Sequence, residues 1–144
     1  MHGAGNDYVL LDAREREEDW SSLAKRICDR HYGVGADGLL VVTQSLIADI
    51  RMRMFNPDGS KAEMCGNGIR CFTKYVVERD ISKIVDEQVS IETDAGILAV
   101  KPMINNGQVD RVCVNMGTPK FYARDIPVLL SNHEQEVLRE DLVG

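Results

Sequence analysis

The stretch "FNPDGSKAEMCGNGIRCF", Phe55 to Phe72, runs from the end of an alternating segment through a turn into a glycine-rich start of a helix. Pro57 pre-sets one dihedral and Gly59 tolerates φ > 0, so "NPDGS" reads as a turn. Cys65 follows, then Gly66-Asn67-Gly68, and a helix is expected from about Cys65 to Glu78. Each glycine costs a helix about 1 kcal/mol relative to alanine. A chain accepts that where bare backbone N–H groups must come close to something. Free N–H groups and the helix dipole make a seat for a carboxylate. The same position lowers a thiol's pKa and raises its thiolate fraction. Free cysteines are most often buried as small hydrophobes, but these surroundings favour a reactive Cys65.

Working outward, "DIRMRMF" alternates Ile50, Met52 and Met54 against Arg51, Arg53 and Phe55, the period of a half-buried strand. "LLVVT" and "YVLLDA" (Tyr8 to Ala13) read as buried strands, the former fed by the bend "GVGADG". Between them, Trp20, Leu23, Ala24, Ile27 and Cys28 recur at helical spacing, which predicts a helix from about Asp19 to His31, ended by Gly33. Downstream, "VSIET", "ILAV" and "MI-NNG-QVDRVCVNM" predict strands, with Asp94–Gly96 and Asn105–Gly107 as turns. Met116 to Lys120 marks a domain edge, and the chain from there on is punctuated by Pro119 and Pro127. The fold class is α/β of the α+β type, with antiparallel hairpins and helices packed on the sheet.

The chain's 144 residues suit one domain, or one domain and the start of another. A hydrophobic fraction of 44% supplies a core, and a net charge of −6 argues against nucleic-acid or membrane-surface partners. No apolar run approaches the roughly 20 residues of a membrane span, and no secretory signal is visible. The expected setting is the cytoplasm. Cys28, Cys65, Cys71 and Cys113 match neither a zinc pattern nor a CxxC pair, so reduced thiols are the default.

On one helix, Cys65 and Cys71 would differ by about 9 Å of rise and roughly 120° of rotation. That geometry forbids a disulfide, and Cys71 reads as a packing residue, like Cys28 and Cys113. Asn6, Asn56 and Asn67 each stand beside a glycine-containing bend. Each alone reads as a turn-former or cap. Together they offer donors and acceptors suited to an amino acid's ammonium and carboxylate. His2, His31 and His133 show no metal spacing, so no metal site is expected, and His31 reads as a cation at a helix end. "GVGADG" and "CGNGIR" lack the order of nucleotide-binding loops.

"MHGAGNDY", "GVGADGLL", "MRMFNPDGSKAEMCGNGIRC" and "VNMGTPKF" together resemble the diaminopimelate epimerase family, over most of Met1 to Phe121. The resemblance implies a two-domain pseudo-symmetric fold, with mixed or antiparallel sheets wrapped around or packed on helices and the active site between domains. It implies cofactor-independent conversion of LL- to meso-diaminopimelate, in lysine and peptidoglycan precursor biosynthesis. One cysteine from each domain acts as base or acid. The family's first cysteine maps onto Cys65, and its substrate contacts onto Asn6, Asn56, Gly66 and Asn67. Residues 1–118 then form an N-terminal domain lacking its first strand, and 119–144 an interdomain linker and the start of a second domain. The expected partners are diaminopimelate, the C-terminal half of the same enzyme and a second copy in a homodimer.

The family's second cysteine, in a Cys-Gly-Thr-Gly turn, has no counterpart here, so the chain is expected to be inactive alone. Gly38 stands where some relatives use Gln for the substrate. Two rival readings stand beside this one. Proline racemase-like enzymes typically carry Cys-Gly-His-Gly where this chain has Cys-Gly-Asn-Gly. A non-catalytic amino-acid-binding module would need no second cysteine.

Overall fold

The computed structural model describes residues 1–125. Its elements are β1 (His2–Gly3), β2 (Asn6–Asp12), α1 (Trp20–Ile27), β3 (Gly38–Thr43), β4 (Ile50–Phe55) and β5 (Lys61–Ala62). They continue with α2 (Gly66–Glu78), β6 (Val89–Thr93), β7 (Gly96–Asn105), β8 (Gln108–Val114) and a 3-10 turn at Ala123–Asp125. The strands form one eight-stranded sheet in the order β1-β2-β3-β4-β6-β7-β8, with β5 paired to β4 off that path. β2–β3 and β4–β6 are parallel, while the remaining pairs are antiparallel. The mixed sheet curls about α2, which packs against strands as far apart in the order as β1 and β8. This is the α+β architecture expected. The linker and second-domain start expected at 119–144 fall mostly, from residue 126 on, outside the described residues.

Two cores lie on opposite faces of the sheet. Ile69, Phe72 and Val76 of α2 pack with Tyr8, Leu40, Val42, Ile50, Met52, Met54, Ile91 and Val100. On the other face, Trp20, Ala24 and Cys28 from α1 and its C-terminal cap pack with Leu39, Val41 and Phe55. The "LLVV" run of β3 is therefore buried on both faces, as an unbroken apolar strand demands. β4 alternates as expected from Ile50 to Met54 and departs only at Phe55, which α1 covers to 1% exposure. Only Arg51 and Arg53 on that face reach solvent, and both are ion-paired, to Glu92 and Asp94 and to Glu17 respectively.

α1 is shorter than its periodicity suggests. Asp19 caps its N-terminus, its carboxylate accepting from the Ser22 N–H at 3.1 Å. At the other end, Asp29 accepts from the backbone N–H groups of His31 and Tyr32 at 2.7 and 2.8 Å. That side chain competes with the helical ladder and turns the chain out after Cys28. His31 thus lies in the loop, not at the helix end. Gly33 closes this turn where a Cβ would stand 2.2 Å from the Arg26 carbonyl oxygen.

α2 ends in a Schellman arrangement. The Ile81 N–H donates to the Val76 carbonyl at 2.9 Å and the Asp80 N–H to that of Val77 at 3.1 Å, with Asp80 at φ 54. β7 and β8 join through Asn106 and Gly107, both at positive φ, in a two-residue turn. β7 runs unbroken through Pro102 where two strands were expected. β6 begins at Val89, opposite Val100, so Pro102 sits where β7 has lost that neighbour and needs no second donor. Cys113, expected to pack, is exposed, because β8 turns Val112 and Val114 toward α2 and Cys113 the other way. Cys28 and Cys71 are buried as expected.

Candidate active site

Cys65 is the N-cap of α2, with extended backbone (φ −140, ψ 120). Its side chain makes no capping hydrogen bond; instead Sγ lies 3.1 Å from the Tyr8 hydroxyl, which reaches it from β2. Gly68 packs closely against β3. A Cβ at that position would stand 3.4 Å from both Cys65 Cβ and Leu40 Cδ2, so the glycine lets the helix start settle on β3. Gly66 is the more open of the two, with the Met116 side chain 3.5 Å and Arg70 Nη1 4.0 Å from its missing Cβ. The Gly66 and Asn67 N–H groups belong to the first turn, where helical geometry provides no partner.

A second set of contacts orients the same turn. Arg70, one turn along α2, donates to the Gly66 carbonyl at 2.9 Å and to the Asn67 side-chain oxygen. Arginine only donates, so the Asn67 amide must present its oxygen to Arg70 and its NH2 to Asn6. That NH2 donates to Asn6 Oδ1 at 3.1 Å. The order of donors then leaves the Asn6 NH2 facing outward. Asn6 is delivered by the β1–β2 hairpin, whose two loop residues, Ala4 (φ 53) and Gly5 (φ 97), both have positive φ. The base of β2 is tied down by Arg30, which bridges Asp7 and Asp37 at 2.7 and 2.8 Å.

The electrostatics favour a thiolate. Burial opposes ionisation of Cys65. The Tyr8 hydroxyl, the Gly68 and Asn67 N–H groups and the Arg70 guanidinium outweigh it, and the pKa falls below the ordinary thiol value. Tyr8 moves the other way: burial first, then the neighbouring thiol, push its phenol well above the usual range. At neutral pH it is a hydroxyl that can donate or accept. Cys71, by contrast, is pushed up by burial.

Of the residues expected at the site, Cys65, Gly66, Asn67 and Asn6 are brought together. Asn56 is not joined to them by any hydrogen bond among the described residues. Its amide donates to Ser60 Oγ at 2.9 Å, and its backbone brackets the Asn56–Ser60 turn. Tyr8 and Arg70 were missed. A tyrosine at the head of the aliphatic run Val9–Leu11, needing a partner for its buried hydroxyl, was the available signal for the first. The spacing from Asn67 and Gly66 to Arg70 was the signal for the second. A cavity of about 590 Å³ lies elsewhere, lined by Arg14, Arg51, Arg53 and Lys61 among others. Its arginines are ion-paired within the fold. Among the described residues, no cluster of His, Cys, Asp or Glu is arranged to hold a metal ion, and no helix is long and apolar enough to cross a membrane.

A curled mixed sheet around a central helix is a fold class shared by several solved structures. A PhzF-family phenazine biosynthesis protein from Bacillus anthracis matches with TM-score 0.58 and 29% identity, over 75% of this chain and 34% of that one. A probable proline racemase from Agrobacterium radiobacter K84 has the same fold, with TM-score 0.60 at 17% identity, over 77% of this chain and 38% of that one.

Within that class, residues 1–122 match the diaminopimelate epimerase family model, and the chain belongs to that family. The diaminopimelate epimerase of Caldanaerobacter subterraneus subsp. tengcongensis is 52% identical over 89% of this chain and 46% of its own length. That of Methanococcus maripaludis strain S2 is 45% identical over 98% of this chain and 52% of its own. The chain spans about half the length of these curated relatives.

Proposed function

We propose that this chain carries one half of the acid–base machinery of a cofactor-independent diaminopimelate epimerase, with Cys65 as its catalytic thiol. The observation that carries the reading is a thiol of lowered pKa at the start of α2, beside the Gly66 and Asn67 N–H groups and the Asn6 amide. In this reading the α-carboxylate sits on those donors and the reacting carbon faces Sγ. As base, the Cys65 thiolate takes the α-proton: the C–H bond breaks, an S–H bond forms, and the electron pair passes into the carboxylate. The helix N–H groups stabilise that developing charge. A second thiol on the opposite face then returns a proton to the carbon and inverts it. In the reverse direction the two thiols exchange roles.

The second thiol comes from the other half of the enzyme. Cys28 and Cys71 are committed to the cores, and Cys113 stands on the outer side of β8. Residues 1–144 alone are therefore expected to show no turnover. Family membership supports LL-diaminopimelate as substrate and the meso isomer as product. The test is incubation of the gene product, with both halves present, with LL-diaminopimelate in D₂O, following α-deuterium by NMR. Deuterium incorporation with meso product is expected, reduced by about 10²–10⁴-fold or more in Cys65→Ala. A folded wild-type protein that exchanges nothing overturns the reading and directs attention to a proline-type substrate or to binding alone.

A further inference from the structure

We propose that Tyr8 is the positioning residue of Cys65, its hydroxyl holding Sγ in one place whether the sulfur is thiol or thiolate. The inference rests on the proposed role of Cys65, because only a group that alternately takes and gives a proton needs a partner for both forms. Tyr8 Oη and Cys65 Sγ are 3.1 Å apart, and either can be the donor. When the sulfur is a thiolate, the phenol donates to it. When it is a thiol, the S–H can donate to the phenol oxygen. A lysine or an amide NH2 in that place could serve only the anion, and a carboxylate would oppose it.

The fold holds Tyr8 still for this task. It is 3% exposed within the α2 core. Its cross-strand partner in the parallel β2–β3 pair is Gly38. A Cβ on Gly38 would crowd the Phe55 carbonyl oxygen at 3.1 Å and only touch the Tyr8 ring, at 3.4 Å, so the ring lies flat against the backbone of β3. The phenol stays protonated because burial and the adjacent sulfur keep its own pKa high.

The test is peptide-resolved mass spectrometry of iodoacetamide alkylation across pH, on the folded protein and on Tyr8→Phe, which removes one oxygen and keeps the ring. Exposed Cys113 serves as the internal reference. The alkylation midpoint of Cys65 is expected to rise by about one pH unit in the variant, leaving up to about 10-fold less thiolate at pH 7, while Cys113 is unchanged. An unchanged midpoint in a variant with wild-type circular dichroism overturns the proposal. Should Tyr8→Phe fail to fold, the same question is put to the wild-type chain labelled with ¹³Cζ-tyrosine. The Tyr8 resonance must then move as Cys65 ionises, and that step must vanish in Cys65→Ala. No movement overturns the proposal. Neither readout involves diaminopimelate, so failure of the substrate assignment and failure of the Tyr8 assignment are separately visible.

Discussion

Gly38 and Tyr8 face each other across β2 and β3, and the Tyr8 hydroxyl lies 3.1 Å from Cys65 Sγ. Gly38→Ala places a methyl against the Phe55 carbonyl and the Tyr8 ring. It is expected to cost about 1 kcal/mol in denaturant unfolding and to slow Cys65 alkylation toward the Tyr8→Phe rate. Unchanged alkylation would mean that the ring tolerates the methyl without losing its hold on the sulfur. At this scale the sequence was readable wherever the signal was local. Cys65, Gly66 and Asn67 lie side by side, and glycines beside a thiol at a helix start point to exposed backbone N–H groups next to a reactive sulfur. Tyr8 is 57 residues from Cys65, and no local pattern joins them. Asn56 shows a second limit, since a turn-forming asparagine and one that also meets a ligand look the same in sequence.

Among the elements, the hydrophobic periods placed every major strand and both helices, and the departures arose at their ends. Asp29 ended α1 because a short carboxylate offered the backbone a competing partner, which periodicity cannot register. Asp19→Ala removes the N-cap and is expected to cost about 1 kcal/mol in thermal or denaturant unfolding. α2 ends on a non-glycine residue in the left-handed region, Asp80 at φ 54. Asp80→Gly relieves that conformation and is expected to stabilise the fold by about 0.5–1 kcal/mol, read as a higher urea midpoint at unchanged slope. β8 accounts for the misplaced Cys113. Alternation alone says that one face is buried, whereas the position of α2 decides which.

For the molecule as a whole, acid is the informative perturbation. The Arg30 guanidinium, ahead of the Asp37 contacts, holds the Asp7 carboxyl well below the usual carboxylate range. In the unfolded chain that carboxyl takes up its proton near about pH 3.9. The stability contributed by its lowered pKa is fully present above that value and is lost as pH falls toward the folded value. Asp7→Asn is therefore expected to be less stable than wild type near neutral pH and to converge on it below about pH 4. A gap in urea midpoint that stays constant down to about pH 2.5 would remove the Asp7 titration from the acid response.

The same sheet order has a consequence in time. β6, β7 and β8 are joined by tight turns and pair with near neighbours in sequence, so this meander can close on the scale of hairpins, about 1–10 μs. The β2–β3 pair must wait for contacts such as Asp7–Asp37, 30 residues apart, and Tyr8 meets Cys65 only across 57. In pulsed hydrogen-exchange refolding, the Ile91 and Val100 amides should gain protection before those of Val9 and Leu11. The reactive thiol is then untuned until folding is nearly finished, and a newly made chain passes through a period when its cysteine is present but chemically ordinary.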